Sequence, residues 1–251
     1  MAGDSGVPPL RIFTSRETGV VTMAWAAAQD REGTLYFGCD TLVSYDGDRW
    51  RAEAMDPTYL VRGLDIGPNG RIWVAGVNQI GWFEPGARLA YHSLIDRIPA
   101  AASDLGDVWR VYAMGDTSAL FVAREKVLRW DGSGFTVWNY PGMHLLWSTR
   151  TSQGIYIHYP PAGLLRMGLG PPSLAVPAEV VGDAEVRWMD DSGKDWLLLT
   201  SKGFRILRGG KCDPLPWEAS DFARANTPTC AVRLPDGNLA MGTLQGWRRL
   251  D

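Results

Sequence analysis

The chain has 251 residues, 45% of them hydrophobic and 21% charged, and a formal net charge of −3, which is typical of a globular protein. The weak charge and the scattered lysines and arginines argue against a nucleic-acid-binding protein. No run of about 18 apolar residues is present, so we expect no direct insertion into a membrane. Residues 1–6 have neither the basic nor the apolar part of a secretory signal.

The residues that most often bind metals or perform catalysis are scattered. The three cysteines, Cys39, Cys212 and Cys230, form no Cys-x-x-Cys pair of the kind used by zinc sites and redox dithiols. The histidines form neither a His-x-His pair nor a His-Glu-x-x-His motif. Asp190 and Asp191 are expected to be solvated carboxylates in a turn. We therefore predict no metal, no cofactor and no catalytic residue.

One unit of structure recurs along the chain. It consists of an apolar stretch, a polar turn with glycine, a second strand, a short break, a third strand, a glycine-rich turn and a further strand. The second strands begin at Leu35, Ile72, Leu120, Ile155, Leu197 and Leu239, with spacings of 37, 48, 35, 42 and 42 residues. Four-stranded propeller blades repeat at about 40–50 residues. The segments are short and rich in β-branched and aromatic residues, which favours strands over the helices of a solenoid.

In chain order, the predicted blades are residues 20–57, 58–103, 104–142, 143–181, 182–226 and 227–251. The Asp-Gly pairs at 46–47 and 131–132 occupy equivalent positions in two blades and predict tight hairpin turns. The last blade ends after its third strand, and Leu10–Phe13 is a spare strand-like segment. We predict that this segment pairs beside Trp247–Leu250 and closes a single all-β propeller domain of about six blades. The alternative is that the chain belongs to a longer propeller.

The repeat has a recognisable pattern: apolar, Asp-x-x-Gly, strand, Gly-Thr, strand, Asp-Gly. It is clearest at residues 30–38 with 45–47, and at residues 235–239 with Gly242 and Thr243. This unit resembles the two-component regulator propeller repeat, although the middle units match it loosely. In that family, propellers form the extracytoplasmic input part of bacterial sensor kinases, recognise ligands that are often carbohydrates, and usually dimerise. The resemblance implies a periplasmic ligand-sensing module with a small molecule or oligosaccharide as ligand and a homodimeric assembly.

The ligand site of such a propeller is expected at the loops that enter the first strands and join the second strands to the third, because loops carry function on rigid blades. These loops combine amides, charges and aromatic rings, which suits a neutral or weakly anionic polyhydroxyl ligand. The candidate ligand-binding residues are Asp40, Tyr59, Arg62, Asn78, Gln79, Arg110, Arg124, Glu125, His158, Tyr159, Glu185, Lys202 and Gln245. The first strands also carry Trp25, Trp109, Trp147 and Trp188, which are expected to pack between blades or to stack on sugars.

Two other functions remain open at this stage. One is a protein-interaction scaffold of the WD40 type, although the Trp-Asp and Gly-His signatures of that family are missing. The other is a propeller enzyme, either a hydrolase or a lyase. The virginiamycin B lyase family has similar repeats but depends on closely spaced His and Glu residues, and the sequence shows no such cluster.

Overall fold

A computed structural model describes residues 11–20, 23–53, 55, 60–86 and 88–250. Its secondary structure is almost entirely β, in six antiparallel sheets built from strands that follow one another along the chain. Each sheet lies inside one of the six predicted blades, which confirms the period of the second strands. The chain divides into two compact units, Met1–Asn139 and Tyr140–Asp251, and each contains three sheets.

The first unit holds three four-stranded sheets in the order of the sequence. A single helical turn, α1 (Ser15–Thr18), precedes them, and two 3-10 turns, Ile95–Arg97 and Ala100–Ala102, follow the second sheet. The strands are β1 (Ala26–Gln29), β2 (Leu35–Gly38), β3 (Leu42–Tyr45), β4 (Trp50–Glu53), β5 (Val61–Ile66), β6 (Ile72–Gly76), β7 (Gln79–Glu84), β8 (Ala90–Ser93), β9 (Val108–Ala113), β10 (Ala119–Ala123), β11 (Lys126–Trp130) and β12 (Phe135–Asn139).

Counting the described residues, the second unit holds two four-stranded sheets and a final sheet of three strands. Two helices, α2 (Ala178–Val181) and α3 (Glu218–Asn226), connect consecutive sheets. The strands are β13 (Trp147–Thr151), β14 (Gly154–Tyr159), β15 (Gly163–Met167), β16 (Ser173–Pro177), β17 (Val186–Asp190), β18 (Trp196–Thr200), β19 (Gly203–Arg208), β20 (Lys211–Pro214), β21 (Pro228–Arg233), β22 (Leu239–Thr243) and β23 (Gly246–Leu250). Within the described ranges, no helix is long and apolar enough to cross a membrane.

The two predicted Asp-Gly hairpins form as expected. Gly47 has a φ of 97° and Gly132 a φ of 99°, values that glycine adopts without a steric penalty. In the second hairpin the Asp131 carboxylate accepts hydrogen bonds from the backbone N–H groups of Ser133 and Gly134, both at 2.9 Å. These bonds stabilise the charged carboxylate and lower the pKa of Asp131 to about 2.

The cores lie between neighbouring sheets inside each unit. In the first unit, Trp73 and Phe121 are fully buried between the second and third sheets. In the second unit, Leu199 and Phe204 are fully buried and pack against helix α3 and the last sheet. Every residue of the second strands β6 and β10 is buried. Side chains are therefore buried on both faces of these two sheets, which explains why both strands are nearly continuous apolar runs.

The predicted closing strand is not formed by its described part. Leu10 lies outside the described residues, and Arg11–Phe13 is not in a strand. The ring of Phe13 instead meets the rings of Tyr45 and Trp50 edge to face, at centroid distances of 5.2 and 5.0 Å. Helix α1 begins directly afterwards, because Thr14 and Glu17 form a capping box. The described part of the predicted closing segment therefore contacts the first sheet through the ring of Phe13.

Asp191 also differs from the prediction of a solvated carboxylate. Its side chain is buried, and it accepts hydrogen bonds from the backbone N–H and the hydroxyl of Ser152 at 3.1 and 2.9 Å. A third bond, at 3.3 Å, comes from the backbone N–H of Gln153. The carboxylate thus ties the β13–β14 turn to the neighbouring sheet. Asp190 keeps a partly exposed position and forms an ion pair with Arg233.

Candidate functional site

The first strands of four sheets start with a β-bulge. The bulge occurs where β5, β9, β17 and β21 pair with the second strands of their sheets, and it leaves one residue of each first strand outside the register. These residues are Arg62, Trp109, Arg187 and Thr229. A bulge re-aims the side chain of the extra residue, and in three of the four strands that residue is an arginine or a tryptophan. The bulges lie at the sheet end where the second-to-third-strand loops begin.

A glycine ends two of the second strands, β2 and β6, at this same end. A Cβ atom on Gly76 would lie 2.0 Å from the carbonyl oxygen of Leu60, and one on Gly38 would lie 2.8 Å from that of Val61. Real side chains do not tolerate such distances. Glycine therefore allows the segment that leads into β5 to approach both β2 and β6 closely. This approach places the β2–β3 turn beside the start of β5.

The first-unit cluster consists of Trp25, Arg62, Asp107 and Trp109. The guanidinium carbon of Arg62 lies 4.0 Å from the ring centroid of Trp25 and 4.4 Å from that of Trp109. The two indole rings meet edge to face at 5.9 Å. The Nη2 atom of Arg62 also lies 3.2 Å from a carboxylate oxygen of Asp107. Each of the three sheets of the unit contributes to the cluster.

The arginine of the first-unit cluster retains hydrogen-bonding capacity. Its side chain is 13% exposed, and its Nε and Nη1 atoms are buried without a hydrogen-bond partner among the described residues. A desolvated cation over an aromatic ring gains about 2 kcal/mol, which offsets part of the cost of burying this charge. Trp25 is 37% exposed, so part of an indole ring lies at the surface next to guanidinium donors that are themselves buried.

The second-unit cluster consists of Trp147, Glu185, Arg187 and Pro228. Its arginine is in the position equivalent to Arg62, and its guanidinium carbon lies 4.9 Å from the centroid of Trp147. The guanidinium of Arg187 has more hydrogen-bond partners than that of Arg62. Nη1 donates to the carbonyl oxygen of Pro228 at 2.8 Å, and Nη2 donates to Glu185 at 2.9 Å. Arg187 therefore links the first strands of the last two sheets.

His158 lies behind the second-unit cluster and not in a loop. It belongs to β14, is only 4% exposed, and its Nδ1 accepts a hydrogen bond from the backbone N–H of Val186 at 3.2 Å. Burial disfavours the charged imidazolium and lowers the pKa of His158 to about 4, against a weaker opposing effect of Glu185. The side chain is a neutral hydrogen-bond acceptor that fixes the start of β17.

Two candidates of the first unit, Asn78 and Gln79, form side-chain hydrogen bonds to neighbouring segments. Asn78 has a φ of 51°, its N–H donates to the carbonyl of Gly106 at 2.8 Å, and its side-chain oxygen accepts from the Gly106 N–H at 2.8 Å. Gln79 lies at the start of β7 and is 2% exposed, so the expectation of a loop position for it is wrong. Its side-chain oxygen accepts a bond from Ser93 at 3.5 Å.

The remaining candidates of the first unit occupy several environments. Arg110 lies on β9 and its guanidinium donates to the carbonyl of Trp109 at 3.3 Å. Arg124 is exposed and Glu125 half-buried in the β10–β11 turn, and Asp40 is half-buried in the β2–β3 turn. The structure thus brings Arg62 and Arg110 to adjacent strands. Tyr59 lies outside the described residues.

The other candidates of the second unit lie at strand ends and in turns. The ring of Tyr159 meets that of Tyr140 edge to face at 5.1 Å. Lys202, in the β18–β19 turn, forms an ion pair with Asp183. Gln245, in the β22–β23 turn, is exposed, and its N–H donates to Thr243 at 3.2 Å. Of all the candidates, only Glu185 joins the second-unit cluster.

Of the residues in these clusters, the sequence analysis missed Asp107, Pro228 and, although a signal for it existed, Arg187. The signal that could have found it is the repeat itself, since a Val-Arg pair starts the first strand both at 61–62 and at 186–187. Asp107 was missed because it lies in an irregular segment before β9. Across the described ranges, no group of three or more His, Cys, Asp or Glu side chains is placed to hold a metal ion.

No protein-family model and no curated protein sequence matches this chain. Solved structures do match it. Virginiamycin B lyase from Staphylococcus aureus superposes with a TM-score of 0.66 at 12% identity, over 92% of this chain and 81% of the lyase chain. YCF48 bound to D1 peptide superposes with a TM-score of 0.60 at 14% identity, over 88% of this chain and 78% of that one.

A signalling protein is also among the similar structures. The extracellular domain BT4673 of B. thetaiotaomicron, described as part of a hybrid two component system, superposes with a TM-score of 0.63 at 15% identity. The match covers 92% of this chain, which spans only 32% of that domain's chain. At these identities the similarity concerns the fold alone. With the six blade-like sheets, it shows that this chain has the β-propeller fold found in the extracellular domain of a two-component system.

Proposed function

We propose that this chain is a ligand-sensing propeller module of a two-component signalling protein and that it binds a carbohydrate-like molecule at the first-unit cluster. The single observation that carries the proposal is the guanidinium of Arg62 between Trp25 and Trp109 with two buried donors that have no partner among the described residues. Indole faces stack on the apolar faces of sugar rings, and guanidinium donors bind hydroxyl or carboxylate oxygens.

The loop residues around this cluster support a polyhydroxyl ligand. Asn78 anchors the neighbouring loop to Gly106, so the site's wall is held by two backbone-directed hydrogen bonds. Arg110 adds a second cation one residue after Trp109. A ligand that is neutral or weakly anionic would match two arginines whose charge is partly balanced by Asp107. The parent protein would present this module outside the cytoplasm and would act as a homodimer.

We propose a binding role and not an enzymatic one, although virginiamycin B lyase shares the fold. The three histidines lie in unrelated surroundings. His92 is exposed and stacks on Trp82 at 5.2 Å, His144 is exposed, and His158 is buried with its Nδ1 occupied by a backbone N–H. General acid–base catalysis needs a titratable group within hydrogen-bonding reach of the substrate, and a buried, neutral histidine does not offer one.

A thermal-shift screen of this chain against neutral and uronate-containing oligosaccharides tests the proposal. Binding to the native state predicts a saturable rise in melting temperature, equivalent to about 2.7 kcal/mol at a ligand concentration 100 times the Kd. A control panel of unrelated peptides separates this function from a protein-interaction scaffold. Stabilisation by peptides and by no oligosaccharide of a broad panel would contradict the carbohydrate proposal.

A further inference from the structure

A cavity of about 560 Å³ lies between the second and third sheets of the first unit. Its walls come from β7, β8 and the 3-10 turn that follows β8, and from the hairpin that joins β11 to β12. Of the described residues that line it, none belongs to the first-unit cluster. The volume falls in the range of protein ligand sites, about 300–1,000 Å³. We call this feature the inter-sheet cavity.

The floor of the inter-sheet cavity is aromatic and continuous with the core between the two sheets. Trp82 packs on the fully buried Trp73 at a centroid distance of 5.5 Å, and Trp130, which is 6% exposed, packs on Phe135 at 5.0 Å. Leu94, directly after β8, is also buried. Close packing leaves core side chains little freedom to move. The shape of the floor is therefore fixed before any ligand arrives.

An exposed imidazole forms one wall of the inter-sheet cavity. Trp82 and His92 lie directly opposite each other in the β7–β8 register, so their side chains share one face of the sheet. Their rings stack at a centroid distance of 5.2 Å with an interplanar angle of 17°. The indole is held in turn by a hydrogen bond from its N–H to Glu84 at 3.1 Å and by the guanidinium carbon of Arg71, 4.9 Å from its centroid. His92 thus presents a planar ring of fixed orientation to the cavity.

One positively charged side chain lines the inter-sheet cavity. Arg97 is exposed, and its guanidinium has no hydrogen-bond or ion-pair partner among the described residues. The described part of the lining contains no carboxylate. The neighbouring Glu84 is paired with Arg71, Asp131 accepts hydrogen bonds within its own turn, and Asp96 lies outside the lining. A guanidinium binds a carboxylate through two parallel hydrogen bonds, so the cavity favours an anionic ligand.

The two serine hydroxyls of the lining restrict which hydroxyl groups a ligand can carry. Ser93 donates to Gln79 at 3.5 Å and accepts the N–H of Ile95 at 3.3 Å, and Ser133 donates to Asp131 at 2.8 Å. Both hydroxyl protons are engaged, so these serines meet a ligand as acceptors. A sugar acid needs donors as well as acceptors for its several hydroxyl groups. Four aromatic or imidazole rings accompany the two serines in the lining, which favours a planar ring with a single hydroxyl.

We propose that the inter-sheet cavity binds a small hydroxylated aromatic carboxylate. The carboxylate of the ligand pairs with the Arg97 guanidinium, its ring stacks on the His92 imidazole, and its hydroxyl donates to Ser93 or Ser133. Ring stacking and the charge-assisted pair recognise two different groups of the ligand, so both are needed for full affinity. The proposal is independent of the ligand at the first-unit cluster, because different residues form the two sites.

The test titrates para-hydroxybenzoate into the full chain and follows the backbone and indole N–H signals by NMR. Saturable binding with a Kd below about 1 mM, with shifts concentrated around His92 and Arg97, supports the proposal. Arg97→Gln is expected to raise the Kd by at least about tenfold, because it removes the charge that binds the carboxylate. The matched control is Arg31→Gln, which removes an exposed arginine from the β1–β2 turn and should leave the Kd unchanged.

Further arms separate ring stacking from simple charge attraction. His92→Phe keeps a planar ring and should leave the Kd within about threefold of the wild-type value, whereas His92→Ala should raise it by about fivefold. The uncharged para-hydroxybenzamide should bind at least about tenfold more weakly than para-hydroxybenzoate.

Three results would overturn the proposal. They are equal Kd values for the wild type and Arg97→Gln, tighter binding of glucuronate than of para-hydroxybenzoate, and no saturation by para-hydroxybenzoate up to several mM. Shifts centred on Trp25 and Arg62 would place the ligand at the first-unit cluster and would overturn it as well.

Discussion

The two units place the same type of residue at the same position and use it differently. In the first unit, Arg62 lies between two indole rings and contacts one carboxylate, while two of its nitrogens have no hydrogen-bond partner among the described residues. In the second unit, Arg187 contacts one indole ring and donates to both Pro228 and Glu185. The same type of bulge thus leaves an arginine with unpaired nitrogens in one unit and links two strands through an arginine in the other.

The largest expected effect concerns the histidine behind the second-unit cluster. The pKa of His158 is lowered from 6.5 to about 4 in the folded protein, so the unfolded chain binds an additional proton between these pH values. Its contribution to stability is therefore complete above pH 6.5 and is lost as the pH falls towards 4. The loss amounts to about 3 kcal/mol.

The matched variant for this effect is His158→Asn, which retains an acceptor but does not titrate. The difference in unfolding free energy between the wild type and the variant, measured by urea denaturation at pH 7, 5.5 and 4, isolates the histidine from the carboxylates. A difference that is independent of pH would show that His158 is not buried as a neutral imidazole.

A smaller loss is expected when the linking arginine is removed. Arg187→Met keeps most of the side-chain volume over Trp147 but removes the donors to Pro228 and Glu185. Charge-assisted hydrogen bonds contribute about 1.5–3 kcal/mol each, and part of this is regained when Glu185 becomes solvated. We expect a destabilisation of about 2 kcal/mol, with faster amide hydrogen exchange in β17 and β21. Unchanged exchange in both strands would contradict the linking role.

The equivalent change in the first unit should cost less stability. Arg62→Met removes two cation–π contacts and the contact with Asp107, and it relieves the burial of two unpaired nitrogens. The opposing effects leave a destabilisation of about 1 kcal/mol or less. Urea denaturation of the two methionine variants side by side measures the difference. A larger loss of unfolding free energy for Arg62→Met than for Arg187→Met would contradict the conclusion that Arg187 is the arginine with the linking role.

An effect of similar size is expected in the second Asp-Gly hairpin of the first unit. Gly132→Ala forces a residue with a Cβ into a φ of 99° and within 3.2 Å of the Thr117 hydroxyl, at a cost of about 1 kcal/mol. Gly134→Ala is the control in the same hairpin, because no atom lies within 4 Å of its Cβ position. Equal melting temperatures for the two variants would show that the turn lacks the predicted geometry.

The sequence predicted those features that depend on local chemistry. The second strands and the Asp-Gly hairpins were found because β-branched runs and positive φ angles leave local signals. The bulges left no such local signal, and Arg187 was missed because the Val-Arg pairs at 61–62 and 186–187 were not compared between repeats. Contacts between distant residues were also missed. The ring of Phe13 packs on Tyr45 and Trp50. The side chain of Asp191 is buried and accepts hydrogen bonds from Ser152 and Gln153.

The predicted positions of the candidate site residues were correct for some residues and wrong for others. The rule that loops carry ligand-binding residues placed Asn78, Lys202 and Gln245 in turns as expected. It failed for Gln79 and His158, which are buried at the beginning and near the end of strands. Both residues lie within about one residue of a predicted strand boundary, and sequence patterns do not define such boundaries that closely.

The most direct test of the account compares ligand binding by the two arginine variants. The oligosaccharide that stabilises the wild-type chain most in the thermal-shift screen is titrated calorimetrically into wild type, Arg62→Met and Arg187→Met at pH 7. The account predicts that Arg62→Met weakens binding by at least about tenfold, or about 1.4 kcal/mol, and that Arg187→Met changes the Kd by less than about threefold. Equal loss in both variants, or loss in Arg187→Met alone, would contradict the claim that the first-unit cluster binds the ligand.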